Sequence, residues 1–309
     1  MNLKRIDAYP LGGKTGGVTV SDTFNMVVML DWGTENIRWS LGGEIHSMPN
    51  ESPLLPGILF NDPEALTLQW RQVLRHCAAM VPWHKRIIKP KVLAPVPQGS
   101  SGVEGGGYAH VLKQEALSVI LCEAPVAAAM GCGYSEENEK PIGILELGAS
   151  FSQFAVIQQC GIRISASLRR GGRNLDAALK RHLKRQFHIE PSDMELSAVK
   201  HDWNRHETLR LGGIVVERDT MRQIYAAAVT PLVEALQDAL DGLAPEMSAI
   251  LKSDGIQMTG GLSQMPRLSE YLTERTGFPF HPTKNPAQAV MRGLLEMQKS
   301  RPPKLWRRA

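Results

Sequence analysis

Three short glycine-containing turns in the sequence carry residue types that could bind phosphate. Residues 31–34 place an acid, a glycine and a threonine directly after an apolar run, and residues 148–150 and 259–261 follow two further apolar runs. A glycine lets the backbone approach a flat or anionic ligand closely, and successive backbone N–H groups can bind an anion. Each turn taken alone is also typical of a plain connection between strands. Their order and spacing together therefore carry the hypothesis of a phosphate-binding site.

The elements that must position these turns include short strands, which are predicted from apolar runs bounded by Gly, Pro and polar residues. The pair Gly42-Gly43 separates two of these runs and is a strong hairpin signal. The second half of the chain opens at residue 142 in the same way as the first half opens at residue 26, which predicts two α/β lobes. The predicted strands are 26–30, 37–41, 44–48, 91–96, 117–121, 142–146, 152–157, 162–167 and 255–258.

Helices are predicted where apolar residues recur at helical intervals. One helix is expected to begin at Pro63, with Asp62 as its N-cap. The glycine-rich stretch 102–107 is predicted as a loop. Within it, Glu104 is either an ordinary polar loop residue or a group that approaches the phosphates. The other predicted helices are 126–130, 171–187, 191–202, 219–243, 264–276 and 286–298.

Length and composition bound the class of protein. A chain of 309 residues is long enough for two domains, because single cores rarely grow beyond about 250 residues. With 43% hydrophobic and 21% charged residues, the chain is not wholly disordered. Residues 1–25 are expected to be a flexible extension, because the first twenty residues are rich in glycine and lack the apolar centre of a signal peptide. No apolar run reaches the roughly 18 residues of a membrane span.

Charge and cysteine usage suggest the setting and the partners. The net charge is only +4, but eight Lys or Arg residues and one acid lie between Arg163 and His188. Five more basic residues follow Glu296, so 299–309 is expected to be a basic tail. The basic helix could be a solvated face, or a surface for an acidic partner, an anionic lipid or nucleic acid. The four cysteines form no CxxC pair, which favours reduced thiols and a cytoplasmic location.

Several segments together resemble the actin, DnaK and sugar-kinase superfamily. DWGTEN at 31–36 is similar to the first phosphate loop in its bacterial MreB form, DLGTANT. The combined order of the motifs identifies the chain as a divergent and trimmed bacterial actin-like protein of the MreB type. The other similar segments are KVLAPVPQGSSGVE at 91–104, EAPVAAA at 123–129, the second loop within 144–157, RGGRNLD at 170–176, TGGL at 259–262 and NPAQAVMRGL at 285–294.

This resemblance implies an α/β fold class, with a two-lobed actin-like ATPase fold and a cleft between the lobes. The first lobe is expected at 26–140, with 285–298 returning to it, and the second lobe at 141–284. The family carries a small extra subdomain in the first lobe. Here the segment 49–90 has room for little more than one helix, so that subdomain is expected to be reduced.

The resemblance also implies ATP and Mg²⁺ as ligands. By the matching motif, Asp31 would hold the metal through water. Gly33, Thr34 and Asn36 would face the phosphates. The first hairpin is therefore expected to carry the metal and phosphate contacts of the first lobe.

Four residues of the second lobe are expected at the nucleotide on the same grounds. Gly148 would form the second phosphate turn. Gly260 and Gly261 would pack against the adenosine, and Lys200 would lie beside the ribose and adenine. These assignments rest on the resemblance, since a glycine or a lysine alone would not predict them.

The catalytic positions depart from the family pattern. Where the family has an acid directly before a proline, this chain has Ala124, and Glu123 stands one residue earlier. The second loop begins with Glu146 instead of Asp, and Phe151 replaces a hydroxyl residue. Loss of an oriented water or a positioned metal removes transition-state stabilisation. Glu104 and Glu146 remain the candidate catalytic residues of a weak ATPase or pseudo-ATPase.

Three functions remain open from the sequence. The first is a cytoplasmic scaffold or regulatory partner in a bacterial assembly that binds ATP weakly or not at all, and the second is an active polymerising ATPase of the cell-shape type. The third is a small-molecule kinase of the same superfamily, although no segment offers the aspartate base that such an enzyme needs. We expect an acidic protein partner or self-association and no specific nucleic acid. Contact with a membrane surface would be weak.

Overall fold

The computed structural model describes residues 26–50, 63–81, 89–135, 137–159, 161–299 and 307–308. The chain divides into two compact units: unit 1 comprises Met1–Gly131 and Val290–Ala309, and unit 2 comprises Cys132–Ala289. These boundaries lie several residues from those expected at 140/141 and 284/285. The expected extension 1–25, the N-cap Asp62, Cys160 and most of the basic tail 299–309 lie outside the described residues.

Strands and helices alternate through most of the chain. The strands are β1 Val27–Trp32, β2 Asn36–Ser40, β3 Ile45–Pro49, β4 Lys91–Val96, β5 Ser118–Glu123, β6 Ile142–Leu147, β7 Ser152–Gln158, β8 Gly161–Leu168, β9 Thr208–Leu211, β10 Ile214–Glu217, β11 Ile256–Thr259, β12 Phe280–Pro282 and β13 Arg307–Arg308. The helices are α1 Pro63–Ala79, α2 Gly102–Lys113, α3 Ala124–Gly131, α4 Gly172–Phe187, α5 Asp193–Asp202, α6 Arg218–Asp241, α7 Pro245–Asp254, α8 Leu268–Thr276 and α9 Ala289–Lys299.

The sheet of unit 1 has six strands in the order β13-β5-β4-β1-β2-β3. The strands β1, β2 and β3 form an antiparallel meander, and β4 and β5 continue the sheet in parallel. Val28 and Leu30 are buried in the core of this unit because β1 lies inside the sheet. Trp70 of α1 is fully buried and donates from Nε1 to the Leu112 carbonyl at 3.2 Å, which ties α1 to α2.

The main sheet of unit 2 has five strands in the order β12-β11-β6-β7-β8. An antiparallel meander of β6, β7 and β8 is again extended by parallel strands, here β11 and β12. Buried residues such as Leu145, Phe154 and Leu236 form its core. The separate hairpin β9–β10 and the helix α7 were not predicted from the sequence.

Helix α4 carries the basic stretch on its exposed side. Its apolar residues Leu175, Leu179 and Leu183 recur at intervals of four and are buried. Two of its lysines form ion pairs, Lys180 with Asp193 and Lys184 with Glu190. The amphipathic pattern therefore fixes which side of α4 faces solvent.

Among the described residues, the helices are either too short or too polar to span a membrane.

The three cysteines in the described residues are free thiols. Cys77 and Cys122 are buried, whereas Cys132 is partly exposed. Burial raises the pKa of the Cys77 thiol to about 11, and it also raises that of Cys122. At neutral pH these two thiols are protonated and have little nucleophilic reactivity.

The prediction that 102–107 is a loop is wrong, because these residues lie in α2. Ser101 is the N-cap: its side chain accepts a hydrogen bond from the Glu104 backbone N–H at 3.1 Å. Glu104 Oε2 in turn accepts from the Ser101 backbone N–H at 2.7 Å. This reciprocal capping box satisfies two orphan donors at the start of a helix that has four glycines in its first six residues. The structure thus gives Glu104 a capping role.

Replacement of Glu104 tests its role in the helix cap. We expect Glu104→Ala to lower the free energy of unfolding by about 1 kcal/mol, since the capping box is lost. Glu104→Gln keeps an acceptor at the same helical position and should remain close to the wild type. Urea denaturation of the full chain measures both. If Glu104→Gln were as destabilised as Glu104→Ala, the carboxylate charge and not the cap would be responsible.

Candidate functional site

The first candidate turn joins β1 to β2 in unit 1. The Gly33 N–H donates to the Asn36 carbonyl at 3.1 Å and closes the turn. Asn50 Nδ2 donates to the Gly33 carbonyl at 2.9 Å, and buried Gln69 donates from Nε2 to Asn50 Oδ1 at 3.0 Å. The turn is therefore held in place by Asn50, which directly follows β3, and by Gln69 of α1. Thr34 lies in the same turn and is partly exposed.

Asp31 stands at the end of β1 next to a cation that the sequence reasoning missed. The β1–β2 register places Arg38 directly across from Asp31. Arg38 Nη1 lies 3.4 Å from Asp31 Oδ2, and the two side chains are only 18% and 17% exposed. Burial raises the pKa of the Asp31 carboxyl, although the Arg38 guanidinium acts in the opposite direction. The alternation of β2 was the available signal, since it puts Arg38 on the same face of the sheet as Asp31.

The surroundings of Asp31 do not fit the implied magnesium ion well. Mg²⁺ in nucleotide sites takes one or two carboxylates together with waters and phosphate oxygens. Here the carboxylate already contacts a guanidinium, and an added divalent ion would sit beside a positive charge.

The second candidate turn follows β6 in unit 2 and packs against the start of α4. The Gly148 N–H donates to the Phe151 carbonyl at 2.8 Å. The Gly172 N–H donates to the Gly148 carbonyl at 3.0 Å, and the Arg173 N–H donates to the Ala149 carbonyl at 2.9 Å. The first backbone donors of α4 are thus used by the turn itself. A helix start with exposed donors would favour an anion, and these two donors are already engaged.

A glycine makes this packing feasible. A Cβ atom on Gly171 would lie 2.4 Å from the Gly148 carbonyl oxygen and 2.7 Å from the Ala149 carbonyl. Any side chain at this position would push α4 away from the turn. Close packing against the turn therefore explains why the first glycine of the motif at 170–176 is a glycine.

The side chains around the second turn differ from those of a phosphate loop. Arg169 lies with its guanidinium carbon 5.8 Å from the centre of the Phe151 ring, which is a cation–π contact. The buried Ser150 hydroxyl has no hydrogen-bond partner among the described residues. Glu146, the second candidate catalytic residue, accepts from Gln153 Nε2 at 3.4 Å across the β6–β7 ladder. Glu146 therefore lies at the strand end with its carboxylate contacting an amide.

Lys200 lies at the end of α5 and forms a nearly buried ion pair. Its Nζ is 2.7 Å from Asp176 Oδ2 and 3.5 Å from the Gly172 carbonyl. The Lys200 and Asp176 side chains are 10% and 21% exposed. A Cβ on Gly172 would lie 3.3 Å from Nζ and 3.9 Å from the Ala149 Cα. Lys200 therefore lies close to the second turn, and the structure pairs it with an acid of α4.

The late glycine turn also approaches the second turn. A Cβ on Gly260 would lie 2.3 Å from the Leu147 carbonyl oxygen, and the Gly260 N–H donates to the Pro286 carbonyl at 2.9 Å. Gly261 begins a short 3₁₀ helix, Gly261–Gln264. Within unit 2 the structure thus brings together three predicted positions, Gly148, Lys200 and Gly260.

Comparison with known proteins gives the family. The sequence matches the MreB/Mbl protein family over residues 53–208 and 210–303, which is more than half of the chain. The chain belongs to the MreB/Mbl family. The predicted resemblance is confirmed by this match.

Individual relatives agree with the family and are distant. This MreB/Mbl family member is 26% identical over 221 residues to the cell shape-determining protein MreB of Escherichia coli. That alignment covers 66% of the chain and 64% of the E. coli protein. The chain therefore spans less than two thirds of the length of this relative.

Solved structures confirm the predicted actin-like α/β fold. The ADP-bound crystal structure of MreB5 of Spiroplasma citri has a TM-score of 0.79 at 18% identity, covering 89% of this chain and 96% of that one. A structure of the MamK double helical filament has a TM-score of 0.75 at 15% identity, covering 90% and 100%. At these identities the comparison establishes the fold.

Removal of Lys200 tests the ion pair. We expect Lys200→Met to lower the free energy of unfolding by about 3 kcal/mol, because the mostly buried Asp176 carboxylate would lose its cation. The double variant Lys200→Met with Asp176→Leu should recover most of this loss, since no charge is left uncompensated.

The control is Lys180→Met, which removes the cation of an ion pair whose acid, Asp193, is 98% exposed. We expect that change to cost less than about 0.5 kcal/mol. Urea denaturation measures all three variants. Equal effects of Lys200→Met and Lys180→Met would show that solvent screens both pairs alike.

Proposed function

We propose that this MreB/Mbl family member binds ATP weakly, hydrolyses it slowly if at all, and acts as a scaffold or regulatory partner in a bacterial assembly. One observation carries the proposal. Ala124, which begins α3 where the family has an acid before the proline, is 5% exposed and apolar. A methyl group cannot orient an attacking water, whereas a carboxylate can.

The state of the second turn supports slow or absent hydrolysis. Two backbone donors at the start of α4 bond to the turn's own carbonyls, and Phe151 contacts Arg169. Transition-state stabilisation in phosphoryl transfer depends on donors aimed at the developing charge. Fewer such donors would reduce turnover more than ground-state binding.

Nucleotide binding itself is supported by position and by relatives. MreB5 of Spiroplasma citri has been solved with ADP and with AMPPNP. This chain keeps Gly33 and Asn36 in the first turn, and its unit 2 brings Gly148, Lys200 and Gly260 close together. Within this proposal, these residues and Gly261 contact the nucleotide, and Thr34 lies beside its phosphates.

Measurement of ATP turnover tests the catalytic half of the proposal. Phosphate release by the purified chain is expected to be far below the rate of typical enzymes, on the order of 1 per second. The double variant Ala124→Glu with Phe151→Thr should release phosphate faster, because it restores an acid and a hydroxyl at the two departed positions. The single variant Phe151→Thr is the control for loop crowding alone, and thermal melting checks that each variant is folded.

Two results would reject this account. Fast turnover by the wild type would show that another residue, such as Glu104 or Glu146, orients the water. No gain in the folded double variant that still binds nucleotide would show that Ala124 and Phe151 are not the cause of slow hydrolysis.

The alternative is an active polymerising ATPase of the cell-shape type. The relatives named as cell shape-determining proteins and the fold shared with the MamK filament favour it. Self-association into short oligomers is accordingly one option within our proposal, and binding of an acidic protein partner is the other. The exposed basic side of α4, with Arg181 and Arg185 beside its paired lysines, supports an acidic partner.

Assembly separates the proposal from this alternative. Between Pro49 and Lys89 the described residues contain a single helix, α1, where the family carries a small extra subdomain. We therefore expect purified protein with ATP to remain monomeric or to form short oligomers in sedimentation and light scattering. Long filaments in electron micrographs would favour the polymerising ATPase.

A further inference from the structure

We propose that Arg38 is a built-in cation of the first phosphate turn, and that nucleotide binds beside Asp31 without a divalent metal ion. This inference rests on the proposed nucleotide binding and adds a residue and a metal requirement to it. The phosphate chain of a nucleoside diphosphate or triphosphate is the ligand class concerned.

The backbone determines the position of Arg38. Asp31 and Arg38 face each other in the antiparallel register of β1 and β2, so their side chains leave the same face of the sheet. The closest atoms, Arg38 Nη1 and Asp31 Oδ2, are 3.4 Å apart. Both side chains are more than four-fifths buried. The guanidinium is therefore held beside Asp31 and is mostly shielded from solvent.

The guanidinium also lies against the glycine expected to face the phosphates. A Cβ atom on Gly33 would be 2.8 Å from the Asn36 carbonyl oxygen and 3.7 Å from Arg38 Nη1. The Gly33 backbone is itself fixed by the Asn36 and Asn50 contacts. A phosphate oxygen that approached the turn from the Arg38 side, away from the Asn36 carbonyl, would thus come within reach of the guanidinium.

A guanidinium suits this role for a chemical reason. It offers five N–H donors in a planar fork that matches phosphate oxygens, and one contact with a carboxylate leaves donors for a second anion. Its charge does not depend on pH in the range where proteins are folded. Arg38 can therefore neutralise Asp31 before the ligand arrives and contact the phosphate afterwards.

The same cation disfavours a magnesium ion at Asp31. A divalent ion held through water would stand close to the guanidinium, and like charges in a partly buried place repel strongly. It would also compete for the carboxylate that Arg38 already contacts. The disagreement between the implied metal and the residues present is resolved if Arg38 supplies the positive charge.

The test is a titration of the full chain with a fluorescent ADP analogue, N-methylanthraniloyl-ADP, in excess magnesium and in excess EDTA. We expect wild-type affinities in the two conditions to agree within about threefold. Arg38→Met should bind about tenfold or more weakly in EDTA, since a charged hydrogen bond to phosphate is lost. Magnesium should restore part of the affinity of this variant, because Asp31 is then open to the ion.

Matched variants exclude indirect effects. Arg75→Met removes an exposed arginine of α1 that lines a separate cavity of about 400 Å³, and it should bind like the wild type in both conditions. Arg38→Lys keeps the charge and loses the fork, so its affinity in EDTA should lie between the wild type and Arg38→Met. Thermal melting verifies folding. The wild-type comparison needs no variant at all.

The outcomes distinguish the two levels of the proposal. Wild-type binding that weakens more than about threefold in EDTA overturns the metal-independent role of Arg38 and leaves nucleotide binding standing. Equal binding by folded Arg38→Met and the wild type in EDTA also overturns it. Absence of binding in every condition overturns the proposed nucleotide binding and this inference with it.

Discussion

The close packing of the start of α4 on the turn after β6 is the contact on which much of unit 2 depends. Gly171 has no side chain, so the backbone of α4 can approach Gly148 and Ala149 closely enough to donate two hydrogen bonds. That approach sets the direction of α4, which then buries its leucines in the core. It also places Asp176 where Lys200 of α5 can pair with it. The absence of a side chain at Gly171 therefore allows the turn, the position of α4 and the Asp176–Lys200 ion pair to form together.

The two turns that resemble phosphate loops are held in place by different contacts. In unit 1 the turn keeps its backbone in place through Asn50 and Gln69 and carries opposite charges on Asp31 and Arg38. In unit 2 the turn accepts backbone hydrogen bonds from α4, and its Phe151 ring contacts Arg169. A turn with a fixed cation can hold an anion in its ground state, whereas a turn whose donors are engaged has less to offer a transition state. This difference is the physical basis for separating binding from hydrolysis in the proposed function.

Conservation of the fold at low identity follows from what the core requires. MreB5 shares the fold with only 18% identity. Core positions need apolar residues of about the right size at the strand and helix periods, and many sequences satisfy this. Charged and catalytic positions have no such freedom, so a change such as Ala124, where the family has an acid, can alter the chemistry while the architecture stays intact.

The sequence by itself determined the strands of both meanders, the amphipathic α4 and the family, because these depend on local periodicity and on the order of motifs. It did not reveal α2, since helix propensity reads the early glycines as a loop, whereas the capping box and the burial of residues such as Tyr108 and Leu112 together favour the helix. The β9–β10 hairpin carries a Gly212-Gly213 turn signal, but its two strands have only four residues each, which is too short for a clear periodicity. Only the tertiary structure decided the partners of Asp31 and Lys200. Arg38 reaches Asp31 through strand register, and Asp176 reaches Lys200 through the packing of α4 against α5. Such contacts depend on how elements meet in space, which residue types and spacing along one chain do not specify.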